Sequence, residues 1–149
     1  DSERSRGLGD VYKRQEVLRV IDGDSLSLNV RLGFDVSLKM SVRLYGIDTA
    51  ETRRVSGGTE DLKALGRFAK QFVNNLLPVG TEVTIKTTLD SKGKFGRVLA
   101  TVMIDGDEDS LNDFMVAERL AIPYHGQNKS LVLEQHKMCV AHHKKLGNI

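Results

Sequence analysis

Hydrophobic and polar residues alternate along two stretches early in the chain. In SLSLNVRL (25–32), Leu26, Leu28, Val30 and Leu32 share one face. In VSLKMSVRLY (36–45), Val36, Leu38, Met40, Val42 and Leu44 do the same. A period of two sends successive side chains to opposite faces of a β-strand. The connection 33–35 is short and contains a glycine, so the pair predicts a β-hairpin. Ser37, Lys39, Ser41 and Arg43 occupy its polar face. A shorter strand, EVLRVI (16–21), precedes the hairpin and ends at the turn-rich DGDS.

The period changes after a loop at 47–58. Leu62, Leu65, Ala69, Phe72 and Leu76 recur at spacings of three and four, which predicts an amphipathic helix. Thr59 suits its N-cap, Glu60 and Asp61 suit the positive end of its dipole, and Pro78 and Gly80 end it. TEVTIKTTL and RVLATVMI predict a fourth and a fifth strand, joined by the polar loop DSKGKFG. DGDEDS reads as a turn leading to a helix cap; it lacks the ligand spacing and terminal glutamate of an EF-hand. LNDFMVAERLA reads as a short helix with Leu111, Phe114, Met115 and Leu120 at helical spacing. A last helix runs from Lys129 to Lys145, apolar at Leu131, Leu133 (or Val132), Met138 and Val140. Three strands, a helix, two strands and two helices predict an α+β, mainly β fold: a five-stranded OB-type barrel with three helices. Such barrels bind nucleic acids and oligosaccharides on one face, which as analogy gives only a prior for function.

Composition narrows the class without naming a function. The 149 residues fit one domain with a real core, at 40% hydrophobic and 28% charged. No apolar run reaches membrane-spanning length, and Cys139 is the only cysteine, which excludes an internal disulfide and a cysteine zinc cluster. A net charge of +2 announces no nucleic-acid partner by excess; a basic surface has to come from arrangement. The first fifteen residues, DSERSRGLGDVYKRQ, show no apolar periodicity and no signal-peptide hydrophobic region. DVYKRQ matches the translation of GATGTGTATAAGAGACAG, a transposon-end sequencing adapter, so 1–15 is read as adapter read-through or a disordered tail and 16–149 as the domain. Removing it leaves 18 basic and 17 acidic residues. A native N-terminus lost this way leaves secretion undecided.

Single motifs in the chain are weak. DGDS is most often just a turn, an Asp-Thr-x-Glu loop can be solvated surface or a helix cap, and Arg43 and Arg97 can be solvated side chains. Their combination carries more. Asp24 follows the first strand, and Asp48 and Glu51 follow the third; a small barrel should bring these ends together. Carboxylates packed together repel unless a cation binds them, and an all-oxygen set without nearby histidine or cysteine prefers a hard ion such as calcium or magnesium. Guanidinium forks at Arg43 and Arg97 match phosphate geometry. Hard metal, carboxylate base and two arginines are the parts of a phosphoryl-transfer site.

Four spaced segments, VIDGDSLSL, VRLYGIDTAET, GKFGRVLATV and LNDFMVAERLAIPY, resemble the staphylococcal nuclease-like (thermonuclease) family from residue 16 to about 145. The resemblance implies an OB barrel with three helices, dependence on Ca2+, and cleavage of DNA and RNA to 3′-phosphate products. It implies Asp24, Asp48 and the Thr49 carbonyl as calcium ligands, and Asp22 as a supporting carboxylate. It implies Glu51 as the group that positions or deprotonates water, Arg43 and Arg97 as the grip on the scissile phosphate, and Lys94 and Tyr124 as nucleotide-pocket residues. Ala50 stands where the family usually has proline, so a looser loop is expected. Ser25 replaces threonine, Phe95 a phosphate-binding tyrosine, and Gly126 a second pocket tyrosine. The long hairpin resembles phage and bacterial members.

Two rivals are weighed against an active enzyme. One is a catalytically idle module that binds nucleic acid; it should lack a carboxylate or an arginine, and all five are present. The other is a structural OB domain, which leaves the acidic cluster without a reason. His136, His142 and His143 are expected on a solvated helix face, and His125 in a polar loop. Lys129, Lys137, Lys144 and Lys145 either attract phosphate or are simply solvated. A monomer is the default expectation, with no obligate protein partner and no membrane.

Overall fold

The computed structural model describes residues 11–53, 59–88 and 98–149. Strands β1 (Val11–Asp22), β2 (Ser25–Gly33) and β3 (Val36–Leu44) come first, followed by a two-residue strand β4 (Ile47–Asp48) and helix α1 (Glu60–Leu76). Then come β5 (Glu82–Thr88), β6 (Val98–Ile104), α2 (Leu111–Ala117), a second two-residue strand β7 (Ile122–Pro123) and α3 (Lys129–Lys145). Five strands close a barrel in the order β1-β2-β3-β6-β5, the OB-type arrangement expected from the sequence. β3 and β6 run parallel, while the other barrel pairs are antiparallel. The two short strands, absent from the sequence reading, pair with each other outside the barrel. No helix among the described residues is long and apolar enough to cross a membrane.

Alternate strand positions fill the barrel. Leu26, Leu28, Val30, Val42, Val83, Ile85, Ala100 and Val102 are all fully buried. The hairpin outruns that core. Leu32, Val36 and Leu38 continue the apolar face but are exposed, and Phe34 at the tip is wholly so. The expected core face therefore stops near Val30 and Met40, where the barrel ends. Phe34 and Asp35 turn with φ of 52° and 63°, the left-handed pair that matches strand twist in a two-residue hairpin loop. β1 is longer than expected: it starts at Val11, which pairs with Lys86, and Gln15 is buried where its side chain accepts from the Arg31 amide. The proposed adapter boundary thus falls inside a strand; sequencing intact source DNA decides the origin of 1–15.

Helix α1 starts as expected, with the Thr59 hydroxyl accepting from the Leu62 amide at 3.3 Å. Its buried residues are Leu62, Leu65, Gly66, Ala69 and Val73, while Phe72 and Leu76 are partly buried and pack against the barrel core as expected. The turn before α2 ends at the cap Ser110 as read. In α3 the ends agree with the sequence but the face only in part: Val140 is buried as expected, with Val132 and Leu133 packed beside it. Leu131 and Met138 are exposed, and His136, Cys139, Val140 and His143 face inward. His136 and His143 are therefore buried, not solvated; they lie seven residues apart, two turns along one side. Hydropathy misses this face because two of its four residues are polar. His143 meets its cost of burial through partners: its ring contacts the Glu118 and Arg119 carbonyls at 3.0 and 3.1 Å.

Asn112 locks the end of the barrel nearest the loop after β3. Its carbonyl accepts from the Val102 amide at 3.0 Å, and its amide donates to the carbonyls of Tyr45 at 2.9 Å and Ala100 at 3.1 Å. Replacing it by alanine strands buried groups at about 1–3 kcal/mol. Asn112→Ala is expected to melt several degrees lower, at about 2–4 °C per kcal/mol for a chain this size. An unchanged melting temperature in a thermal scan contradicts the lock.

Candidate active site

β1 and β3 are not neighbours; β2 lies between them. The expected meeting of their ends still occurs, because β2 is antiparallel to both. The turn after β1 therefore sits beside the end of β3: Ser25 pairs with Arg43, and the Leu44 amide donates to the Asp24 carbonyl at 2.8 Å. Arg43 points from this polar strand position into the acidic group. Its guanidinium lies 2.9 Å from Asp48 Oδ1 and 3.7 Å from Asp24 Oδ2.

Asp24 is the most enclosed of the carboxylates, at 8% exposed. Thr49 donates its amide to Asp24 Oδ2 at 3.2 Å, and the Ser25 hydroxyl donates to Oδ1 at 3.2 Å. Burial nonetheless pushes the Asp24 carboxyl above its usual range, with Asp48 adding to this and Arg43, Thr49 and Ser25 opposing it. Glu51 opens to solvent, but partial desolvation and then the charges of Asp24, Asp22 and Asp48 push its carboxyl up, against Arg43. Asp22 accepts from the Thr52 hydroxyl at 3.1 Å and so tethers the loop carrying Glu51 to the turn after β1.

Beside this cluster lies an open cleft of about 580 Å³ between α1 and α3. Arg43, Asp48, Thr49, Glu51 and Tyr124 line it together. Tyr124 is half exposed, and its amide donates to the Gly46 carbonyl at 2.7 Å. Arg53 and Lys63 also line the cleft, and no motif or periodicity singles them out. Lys94, Phe95 and Arg97 lie outside the described residues.

One neighbour overturns an expectation. The oxygen cluster was read as having no histidine nearby, yet His136 Nε2 lies 2.8 Å from Asp48 Oδ2. Nothing local in sequence joins them, since 88 positions separate the pair. The signal available was α3 periodicity with polar residues admitted to the inner face.

No group of three or more acidic, histidine or cysteine side chains among the described residues is arranged to hold a metal ion. Asp24 and Asp48 are two carboxylates, so a cation there needs main-chain oxygen, water or substrate as well. The donor chemistry suits a hard ion: carboxylates, a hydroxyl and main-chain oxygen.

A close packing contact fixes Glu51. A Cβ on Gly66 would lie 2.4 Å from the Glu51 carbonyl oxygen and 2.5 Å from that of Ala50, so α1 touches this loop backbone to backbone. Gly66→Ala is expected to lose stability, about 1–3 kcal/mol of overpacking against about 1 kcal/mol of gained helix propensity. A melting temperature at or above that of the parent removes the contact from consideration. Asp24 makes a pH prediction. A carboxyl held above its unfolded value binds its proton more tightly when folded, so its contribution to stability is full below the usual 3.8 and is lost as pH climbs from there through the raised folded value. Asp24→Asn, melted in chelator, should be more stable than the parent at pH 7 and lose that advantage near pH 4. A destabilised variant at pH 7 contradicts the assignment.

The sequence model of the family described as staphylococcal nuclease homologue matches residues 41–146. A comparison with curated proteins finds no match. The matched segment contains Arg43, Asp48, Thr49, Glu51 and Tyr124, and the geometry adds Asp24 from the preceding turn. By the extent of that match and the barrel that carries it, the chain belongs to the staphylococcal nuclease homologue family.

Proposed function

We propose that the protein is a calcium-dependent nuclease that hydrolyses phosphodiester bonds of DNA and RNA to 3′-phosphate products. The observation that carries this is Arg43 paired with Asp48 and Asp24, where Arg43, Asp48 and Glu51 line one cleft. Asp24, Asp48 and the Thr49 carbonyl would hold the ion, which when bound supplies positive charge to a phosphate oxygen. Asp22 supports the cluster through Thr52.

The chain's own groups divide the remaining work. Glu51 orients a water, or takes its proton, for in-line attack on phosphorus. Partial burial, and then the neighbouring carboxylates, raise its carboxyl and make it a better proton acceptor than an ordinary glutamate. Arg43, already in the cleft, meets charge as it grows on the phosphoryl oxygens. Arg97 is assigned the second grip from the family likeness and from its place one residue before Val98, which pairs with Val42. Tyr124 offers an exposed ring for a base or sugar, and Lys94 a charge for the nucleotide.

The test is hydrolysis of single-stranded DNA by the purified chain with calcium, then with excess chelator. Cleavage that needs calcium and collapses in Glu51→Gln is expected. Arg43→Ala and Arg97→Ala should each lose on the order of 10²–10³ in rate while remaining folded. DNA bound but uncut by the parent in either condition identifies an idle binding module instead. Near-parental rates in either arginine variant remove that residue from its role.

A further inference from the structure

We propose that His136 is a positioning residue for Asp48, and that through it α3 is a working part of the cation site. This rests on the nuclease reading above. Asp48 sits on β4, only two residues long, so its backbone alone gives a weak hold. Its carboxylate is fixed from both sides: Arg43 takes Oδ1 at 2.9 Å and His136 takes Oδ2 at 2.8 Å. With the histidine contact removed, the carboxylate can turn fully toward Arg43 and close the guanidinium–carboxylate pair on itself. With it in place, both oxygens are held apart, and each keeps a lone pair for a further partner.

The histidine is itself held. It is 6% exposed, and the next turn of α3 carries Cys139 and Val140 into a small core with Ala50, Leu62, Leu65 and Ile122. Nδ1 is buried and finds no hydrogen-bond partner among the described residues. The tautomer that leaves the least unpaired has its proton on Nε2 and donates it to Asp48. Carboxylates that hold cations are commonly oriented by such hydrogen-bonded neighbours, whose loss weakens the ion by about 10–100-fold.

Calorimetric titration of calcium into the full chain, without nucleic acid, tests this apart from activity. His136→Leu, which fills the space without a donor, should bind about 10–100-fold more weakly. His136→Gln, which keeps an N–H at similar reach, should recover most of the affinity. Parental affinity in His136→Leu overturns the proposal, as does a His136→Gln as weak as His136→Leu. A second measurement needs no folded variant. In the parent protein, the His136 ring nitrogens should shift in long-range ¹H–¹⁵N spectra as calcium is added, while those of exposed His125 stay put. An unmoved His136 signal at calcium saturation overturns the proposal. A parent that binds no calcium sinks this proposal together with the calcium reading, and is told apart by appearing before any substitution.

Discussion

Like charges brought together by the barrel are the constraint on which the rest of the site depends. Antiparallel pairing of β2 with both its neighbours sets Asp24 beside Arg43, and the loop after β3 adds Asp48 and Glu51. One guanidinium lies against Asp24 and Asp48, and Glu51 and Asp22 add further negative charge nearby. The balance is visible in the raised carboxyl of Asp24, where burial outweighs two hydrogen bonds and a nearby cation. A chain selected only for stability has no use for that arrangement, since buried charge without full compensation is destabilising. Sites that violate local rules in this way are where function is expected.

The sequence revealed the elements because their periods are strong. Alternation at 25–32 and 36–45 marked β2 and β3, and three-and-four spacing marked α1. Asp24, Asp48 and Arg43 were legible as a cluster because strand ends in a small barrel must converge. What stayed hidden depends on distances that periodicity does not encode. Leu32, Val36 and Leu38 keep the core pattern beyond the point where the barrel can cover them. β4 and β7 are too short to have a pattern, and Gly66 carries no side chain to signal its contact. The histidines of the inner face of α3 stayed hidden because hydropathy rejects histidine, while hydrogen bonding to Asp48 and to the end of α2 makes histidine acceptable there.

Those two histidines explain how a weakly amphipathic helix docks in one place. The small core of Ala50, Leu62, Leu65, Ile122, Cys139 and Val140 is separate from the barrel core and offers little directional preference. Hydrogen bonds add the direction. His143 fixes α3 to the carbonyls ending α2, also receiving the Asn148 side chain at Nδ1, and His136 fixes it to β4. Polar contacts at buried positions select one packing among several that apolar contacts alone would tolerate. α3 then forms a wall of the cleft, with Val132, Leu133 and His136 on its lining.

The start of the loop after β4 shows which contacts hold the backbone around Ala50. Alanine at position 50, where the family usually has proline, led to the expectation of a looser loop. Ala50 is 6% exposed and belongs to the small core beneath the cleft. Its carbonyl and that of Glu51 lie against α1 at Gly66, leaving no room for a methyl group. Thr49, one residue earlier, is tied by its amide to Asp24, and Thr52, two residues later, by its hydroxyl to Asp22. A proline ring restricts one backbone angle in the folded and unfolded chain alike. Here the restriction comes from contacts that exist only once α1 has packed, so the placement of Glu51 is a tertiary property. Such a loop is as rigid as its neighbours are well docked, which makes the helix faces, and not the loop sequence, the determinants of where the carboxylate stands.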